Sequence, residues 1–185
     1  MSDRLITDNV LVAFESMHCL NQKKKGKTEE MALKLDMSKA FDQVEGGYLQ
    51  DIMKKIGFND SWVTLMMQVV NSVTYSIKLN RKPRGHITPT RVLQQGDPIS
   101  SFLFLFCAEG LSTLLHQATS SGLLRGMATC PQGPWISHLF FTDDSIIFYQ
   151  ATREECSQLA QILETYEQAS SQQINREKNI SFLQP

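Results

Sequence analysis

Residues 138–148 read HLFFTDDSIIF: two strand-like runs, His138–Phe141 and Ile146–Tyr149, on either side of a polar step. Both flanks are rich in the aromatic and β-branched residues that strands favour. The spacing predicts a β-hairpin over Trp135–Gln150 with Thr142–Ser145 at its tip. Asp143 and Asp144 then project from the end of an apolar sheet. Successive strand residues alternate between faces, so only a turn lets both carboxylates approach one site. Two like charges so close are costly unless something neutralises them. A divalent cation does that, and Mg²⁺ is usually held by one or two carboxylates plus substrate phosphates. The same Asp-Asp pair also suits a plain polar turn.

A second stretch bears on the same chemistry. Met31–Met37 (MALKLDM) alternates, with Ala32 and Lys34 on one side and Leu33 and Leu35 on the other. This predicts a strand ending in Asp36. A third carboxylate at a strand end completes the ligand set of a two-metal site, whose ions lie roughly 4 Å apart and stabilise both oxygens of a phosphoryl displacement. Taken alone, Asp36 equally fits a helix-capping or loop-forming residue.

Outward from these stretches, Leu5, Ile6, Val10, Phe14, Met17 and Leu20 predict an amphipathic helix over 5–20. Residues 21–30, with Lys23, Lys24, Lys25 and Lys27 around Gly26, read as an exposed loop. Tyr48, Leu49, Ile52, Met53 and Ile56 predict a helix stopped at Gly57. A second helix starts near Asn59–Ser61. Strands are expected near 73–80 and 87–93, with 81–86 (RKPRGH) as their turn. Gly96-Asp97-Pro98 opens a helix over 99–117 that is apolar on most faces and so should be deeply buried. Residues 122–128 read as a further strand. The last helix begins at Thr152 with Glu155 completing a capping box, and carries Cys156, Leu159, Ile162, Leu163 and Tyr166 on one stripe. Residues 174–183 read as extended. The mixture predicts an α+β layer fold, an antiparallel sheet with helices packed on one face.

Composition narrows the class. The chain has 185 residues, 42% hydrophobic and 20% charged, so it can build a core and is not globally disordered. Its net charge is −1, whereas nucleic-acid binders are more often basic overall; the local field decides that question. Cys19, Cys107, Cys130 and Cys156 show no zinc-type spacing and read as reduced thiols of an intracellular, cytoplasmic or nuclear, protein. The most apolar run, 99–108, is too short to span a bilayer, and no secretory signal is evident.

The ordered set KLDMSKAFDQVE, QQGDPISSFLFLFCAEGLS and HLFFTDDSIIF, flanked by RLITDNVLVAFE and QQINREKNISF, resembles the plant LINE-type (non-LTR) reverse transcriptases over nearly the whole chain. The resemblance implies a polymerase palm with partial fingers and no thumb. It divides the chain into a fingers-side helix and basic loop at 1–30, palm at 31–57 and 96–185, and a fingers-side insertion at 58–95. It implies RNA-directed DNA synthesis with RNA template, DNA primer and dNTPs as partners, no membrane, and two Mg²⁺ ions, or Mn²⁺, as cofactors. Asp36, Asp143 and Asp144 match the catalytic metal ligands. Phe41 matches the steric gate that excludes a 2′-hydroxyl, although a core Phe fits the same position. Gln95, Gly96, Asp97 and Pro98 match the block lining nucleotide and template, although Gly-Asp-Pro also suits the start of a buried helix. Lys178 resembles a lysine approaching the triphosphate, and Arg4 a fingers-side contact; as a lone cation, Lys178 also reads as a solvated charge.

The chain departs from that pattern at Thr142, Val92, Gln94, Ser101, Gly46-Gly47 and Ser171. None of these removes a carboxylate, and together they suggest the drift of a relic copy. An inactive remnant, a non-enzymatic RNA-binding module and an RNA-copying palm polymerase are the competing readings.

Overall fold

Alternating apolar residues at Met31, Leu33, Leu35 and Met37 make one strand the spine of the molecule. The computed structural model describes residues 6–22, 29–38, 40–88, 92–94, 96–129, 133–141, 144–175 and 180–183. In chain order its elements are α1 (Ile6–Gln22), β1 (Glu30–Ser38), α2 (Gly46–Ile56), α3 (Asp60–Asn71), β2 (Tyr75–Leu79), β3 (Lys82–Ile87), α4 (Pro98–Ser120), β4 (Met127–Ala128), β5 (Trp135–Ile136), β6 (His138–Phe141), β7 (Asp144–Gln150), α5 (Arg153–Ser170), β8 (Gln173–Ile174) and β9 (Ile180–Leu183).

The main sheet runs β6-β7-β1-β8, with β9 also on β1, and every pairing is antiparallel. β1 pairs with β7 from Glu30↔Gln150 to Asp36↔Asp144. On its other edge it meets β9 along Met31–Lys34 and β8 at Met37 and Ser38. This second pairing carries β1 two residues past Asp36, where the sequence pattern ends it.

The two faces of the sheet bury different sets. Leu35, Ile147, Tyr149 and Ile174 join Leu49 and Met53 of α2, Leu103, Cys107, Leu111 and Leu115 of α4, and Leu159 and Tyr166 of α5 in the main core. Ala32 and Phe148 face the other way, against Leu20, Val12, Ala13 and Met17 of α1. The one-face expectation therefore holds for α2, α4 and α5, while α1 adds a layer on the opposite side. Fully burying a Leu or Ile at these positions stabilises the fold by about 1.5–3 kcal/mol each.

Helix ends follow local chemistry. Gly57 closes α2 with φ +103°, its N–H reaching the Lys54 carbonyl while the Phe58 N–H reaches Met53. The Asn59 side chain accepts from the Ser61 N–H at 2.8 Å to start α3. Thr152 Oγ1 accepts from the Glu155 N–H, and Glu155 Oε2 reaches back to the Gln150 N–H at 2.9 Å, so the capping box also ties α5 to the end of β7.

Several expectations change. Asp144 and Ser145 are paired residues of β7 rather than part of the hairpin tip, and Trp135–Ile136 pair with β4 instead of extending the hairpin. Of the strand expected over 122–128, only Met127–Ala128 forms. The β2–β3 turn is Asn80-Arg81, both with positive φ, and Lys82 to Ile87 form β3, so the strand expected at 87–93 lies instead where the turn 81–86 was expected. On α1 the buried face is Val12, Ala13, Ser16, Met17 and Leu20, whereas Val10 and Phe14 stand exposed. Cys156 lies outside the α5 stripe and is exposed. α4 buries one face only, leaving Ile99, Phe102 and Leu105 in solvent. At 23 residues, α4 is long and apolar enough by length and composition to cross a membrane, but here its buried stripe lies on the sheet. Among the described residues Cys19, Cys107 and Cys156 are free thiols, and burial pushes the Cys107 thiol up to about 12.

One close approach sets the α2–α4 spacing. A Cβ added at Gly110 would collide with the Tyr48 hydroxyl, which donates to the Cys107 carbonyl at 3.1 Å. Gly110→Ala should therefore destabilise by about 1–3 kcal/mol in urea unfolding, the usual cost of overpacking. In a Tyr48→Phe background the penalty should be smaller, because the colliding atom is gone; equal penalties in both backgrounds would refute the contact.

Candidate active site

Cross-strand neighbours in a sheet share a face, with Cα atoms about 4.5–5.5 Å apart. The register thus sets Asp36 directly opposite Asp144, and Asp144 opposite Phe141. On the other flank, the Asn175 N–H donates to the Asp36 carbonyl at 2.9 Å, and its side-chain amide lies 3.4 Å from Asp36 Oδ2. Phe141, Asp144, Asp36 and Asn175 therefore form a row across the end of the sheet. The row sits where β1 and β7 stop pairing, on the face opposite Leu35 and Ile147.

Lys34, two residues before Asp36 on the same face, places its ammonium 3.0 Å from Asp144 Oδ1. The Asp144 side chain stays 45% exposed, so the pair is open to ligands rather than sealed in the core. The two carboxylates supply the oxygen donors that hard divalent cations take, and the lysine shows that the Asp144 position attracts a cation. No cluster of three His, Cys, Asp or Glu side chains forms among the described residues. Asp143 lies outside them, as do Gln95, Lys178, Arg4 and the lysines at 23–27.

Phe41 follows β1 in the turn that leads to α2. Its ring packs on Phe104 of α4 with centroids 4.6 Å apart. Beside it opens a cavity of about 330 Å³ lined by Asn9, Ser101, Phe102, Phe140 and Phe141, among others. Phe141 belongs to both the cavity wall and the carboxylate row, so an apolar hollow adjoins the acidic pair. Asn9 fastens α1 to this corner by donating to the Phe140 carbonyl at 3.1 Å.

Gly96 has φ +93°, a conformation only glycine adopts cheaply, and its exposed backbone precedes the α4 N-terminus. Asp97 caps that helix, its carboxylate accepting from the Ile99 N–H, the Ser100 N–H and the Ser100 hydroxyl, the last at 2.7 Å. Pro98 occupies the first turn, as its fixed φ allows.

Sequence reasoning missed four contributors. Lys34 read only as the polar side of a strand, and its reach to Asp144 depends on pairing with β7. Asn9 and Asn175 lie in the flanking stretches RLITDNVLVAFE and QQINREKNISF but had no role assigned. Gln172 is buried and donates from Nε2 to the Ala40 carbonyl at 2.7 Å, while its Oε1 accepts from the Tyr166 hydroxyl. It thereby ties α5 to the residue before Phe41. The signal available for it was its place at the head of the flanking stretch QQINREKNISF, a place to which no role was attached.

An antiparallel sheet that ends in opposed carboxylates and is backed by helices is the plan of a nucleic-acid polymerase palm. The reverse transcriptase (RNA-dependent DNA polymerase) family matches residues 4–184, and the chain belongs to that family. An uncharacterized mitochondrial protein of Arabidopsis thaliana is 45% identical over 67 residues, covering 36% of this chain and 55% of that protein. The Transposon TX1 uncharacterized 149 kDa protein of Xenopus laevis is 25% identical across 98% of this chain, which spans 13% of that protein. Telomerase of Candida tropicalis, in complex with a fragment of telomeric RNA, shares the fold with TM-score 0.62 at 12% identity, over 96% of this chain and 29% of that one. The same telomerase without ligand and lacking its C-terminal domain gives 0.60 at 14% identity, over 98% and 35%.

The cap beside Gly96 yields a pH test. The Ser100 hydroxyl is the largest cause holding the Asp97 carboxyl below its ordinary 3.8; partial desolvation opposes it, and the Ile99 and Ser100 N–H groups add to the lowering. A depressed folded-state value stabilises above the ordinary value, and that stabilisation is lost as pH falls through the lowered one. Asp97→Ala should cost about 0.5–2 kcal/mol at neutral pH. Asp97→Asn should keep a cap while losing the pH dependence, so the lead of the natural chain over Asp97→Asn in thermal unfolding should shrink on acidification. A constant lead would refute the assignment.

Proposed function

We propose that this chain is the catalytic core of a LINE-type retrotransposon reverse transcriptase. It extends a DNA primer with dNTPs on an RNA template. The observation that carries the reading is the opposition of Asp36 and Asp144 on one face at the end of the sheet, next in sequence to Asp143. The similarity to a transposon protein supports a mobile-element origin, and the membership in the reverse transcriptase (RNA-dependent DNA polymerase) family supports RNA as template. The division into palm at 31–57 and 96–185, with fingers-side parts at 1–30 and 58–95, belongs to the same reading.

In this reading Asp36, Asp143 and Asp144 hold two Mg²⁺ ions, Mn²⁺ being an alternative. When bound, such ions supply Lewis-acid activation of the primer 3′-hydroxyl and charge stabilisation for departing pyrophosphate. The chain's own part is positional. Opposite strands fix the Asp36 and Asp144 carboxylates before substrate arrives, so little reorganisation is needed at the moment of reaction. The Asn175 N–H holds the Asp36 backbone, and Lys34 offsets the charge of Asp144. Phe41, braced by Phe104, walls the sugar side and disfavours a 2′-hydroxyl, the group that separates RNA from DNA precursors. Gly96 lets backbone approach the nucleotide closely, with Gln95 beside it. Lys178 and Arg4 are assigned to the triphosphate.

Primer extension on an RNA template tests this. Asp36→Asn and Asp143→Asn should each cut dNTP incorporation by about 100-fold or more, the scale on which a preorganised electrostatic contact acts. Phe41→Ala should raise rNTP use relative to dNTP. A folded natural chain that extends nothing would support the inactive remnant, and a preference of the natural chain for rNTPs would overturn the reverse-transcriptase reading.

A further inference from the structure

The β2–β3 hairpin stands apart from the rest of the fold. Every residue of Tyr75–Leu79 and Lys82–Ile87 is exposed, so neither strand contributes to a core. A lone two-stranded ribbon is marginal in water at best, and this one nonetheless keeps an ordered form. Asn80 and Arg81 make a tight turn with φ of 50° and 65°, and Gly85, at φ +76°, accommodates the register shift further along. The turn sets Arg81 at the tip.

Its charge is segregated as sharply as its position. Residues 61–96 hold five of the chain's 18 basic residues, Lys78, Arg81, Lys82, Arg84 and Arg91, and none of its 19 acidic ones. The four within the hairpin form no ion pair among the described residues. Register puts Tyr75 opposite Ile87, Ile77 opposite Arg84 and Leu79 opposite Lys82. Cations therefore share one face with an exposed aromatic ring and with Ile77 and Leu79, each about 60% exposed. Lys78 points to the other face, opposite Pro83.

We propose that this hairpin is a nucleic-acid-binding arm that grips the phosphate backbone of a single RNA strand outside the catalytic row, with Tyr75 offering a stacking surface for a base. Cations that track a backbone, interleaved with an aromatic, are how single strands are bound without sequence preference. The arm gives a chain of net charge −1 the local positive field that its composition lacks. An acidic protein partner would satisfy the cations but would have no use for an aromatic among them. The inference rests on the reverse-transcriptase reading for the class of ligand.

The test is a salt titration of full-chain binding to a labelled, unstructured RNA oligonucleotide. Lys78, Arg81, Lys82 and Arg84 are changed together to Gln, and a second variant exchanges Lys and Arg at the same four positions. The Gln variant should bind about 10- to 100-fold more weakly at low salt, with a slope of log K against log salt shallower by about 2–3, given about 0.7 per phosphate contact on a single strand. The exchange variant should bind like the natural chain. Thermal unfolding of both should be unchanged, because no buried residue is altered. An unchanged affinity and slope for the Gln variant, or an exchange variant that fails as it does, would overturn the proposal. So would a Gln variant that loses polyglutamate binding while keeping RNA. Primer extension by the natural chain and Asp36→Asn, run in parallel, separates this outcome from the catalytic reading. A hairpin without effect on RNA leaves metal-dependent extension standing, and a chain inert in extension leaves the salt slopes to judge the hairpin alone.

Discussion

The register of β1 against β7 is the constraint on which the molecule depends. A strand alternates faces at every residue, so a slip of one position would turn Leu35 and Ile147 away from the helices and would part Asp36 from Asp144. The apolar demand and the chemical demand are thus met by a single choice. Leu33, Leu35, Ile147 and Tyr149 seek the α2–α4–α5 core, while Ala32 and Phe148 seek α1. With both faces spoken for along the ladder, only one register buries everything, and that register delivers two opposed carboxylates where pairing ends.

A buried polar chain carries the same order to the far side of the site. Tyr48 donates to the Cys107 carbonyl, and the Tyr166 hydroxyl lies 3.3 Å from that carbonyl while bonding Gln172. Gln172 in turn holds the carbonyl of Ala40. Burial drives the Tyr166 hydroxyl well above its ordinary pKa, so it remains a neutral donor throughout the physiological range. Three helices are thereby linked to the turn between Asp36 and Phe41. A buried donor or acceptor left without its partner costs about 1–3 kcal/mol, so this linkage is held as firmly as the apolar packing around it.

Surface and core divide the chemistry in a consistent way. The carboxylate row sits at an open sheet end, the apolar cavity at the junction of α1, α4 and β6, and the basic hairpin is exposed along its whole length. Apolar residues left exposed on α1 and α4, Phe14 and Phe102 above all, lie off the sheet rather than on it. The sequence reading makes α4 more buried than it is and places Val10 and Phe14 on the wrong face of α1, because hydropathy counts residues and not neighbours. A residue at helical spacing is buried only if another element covers that side.

From its residues alone the chain declared most of its element types, its caps at Asn59 and Thr152, the helix opening at Gly96-Asp97-Pro98 and the stop at Gly57, because these are set by interactions within a few residues. It also declared its family, through three blocks in order. What only the tertiary structure decided was which partner each strand took, and with it every contact between residues far apart in sequence. The meeting of Asp36 with Asp144, the reach of Lys34 and the grip of Gln172 on Ala40 are of that kind. Local spacing records the faces of a strand, but pairing is chosen by the burial of all the faces at once.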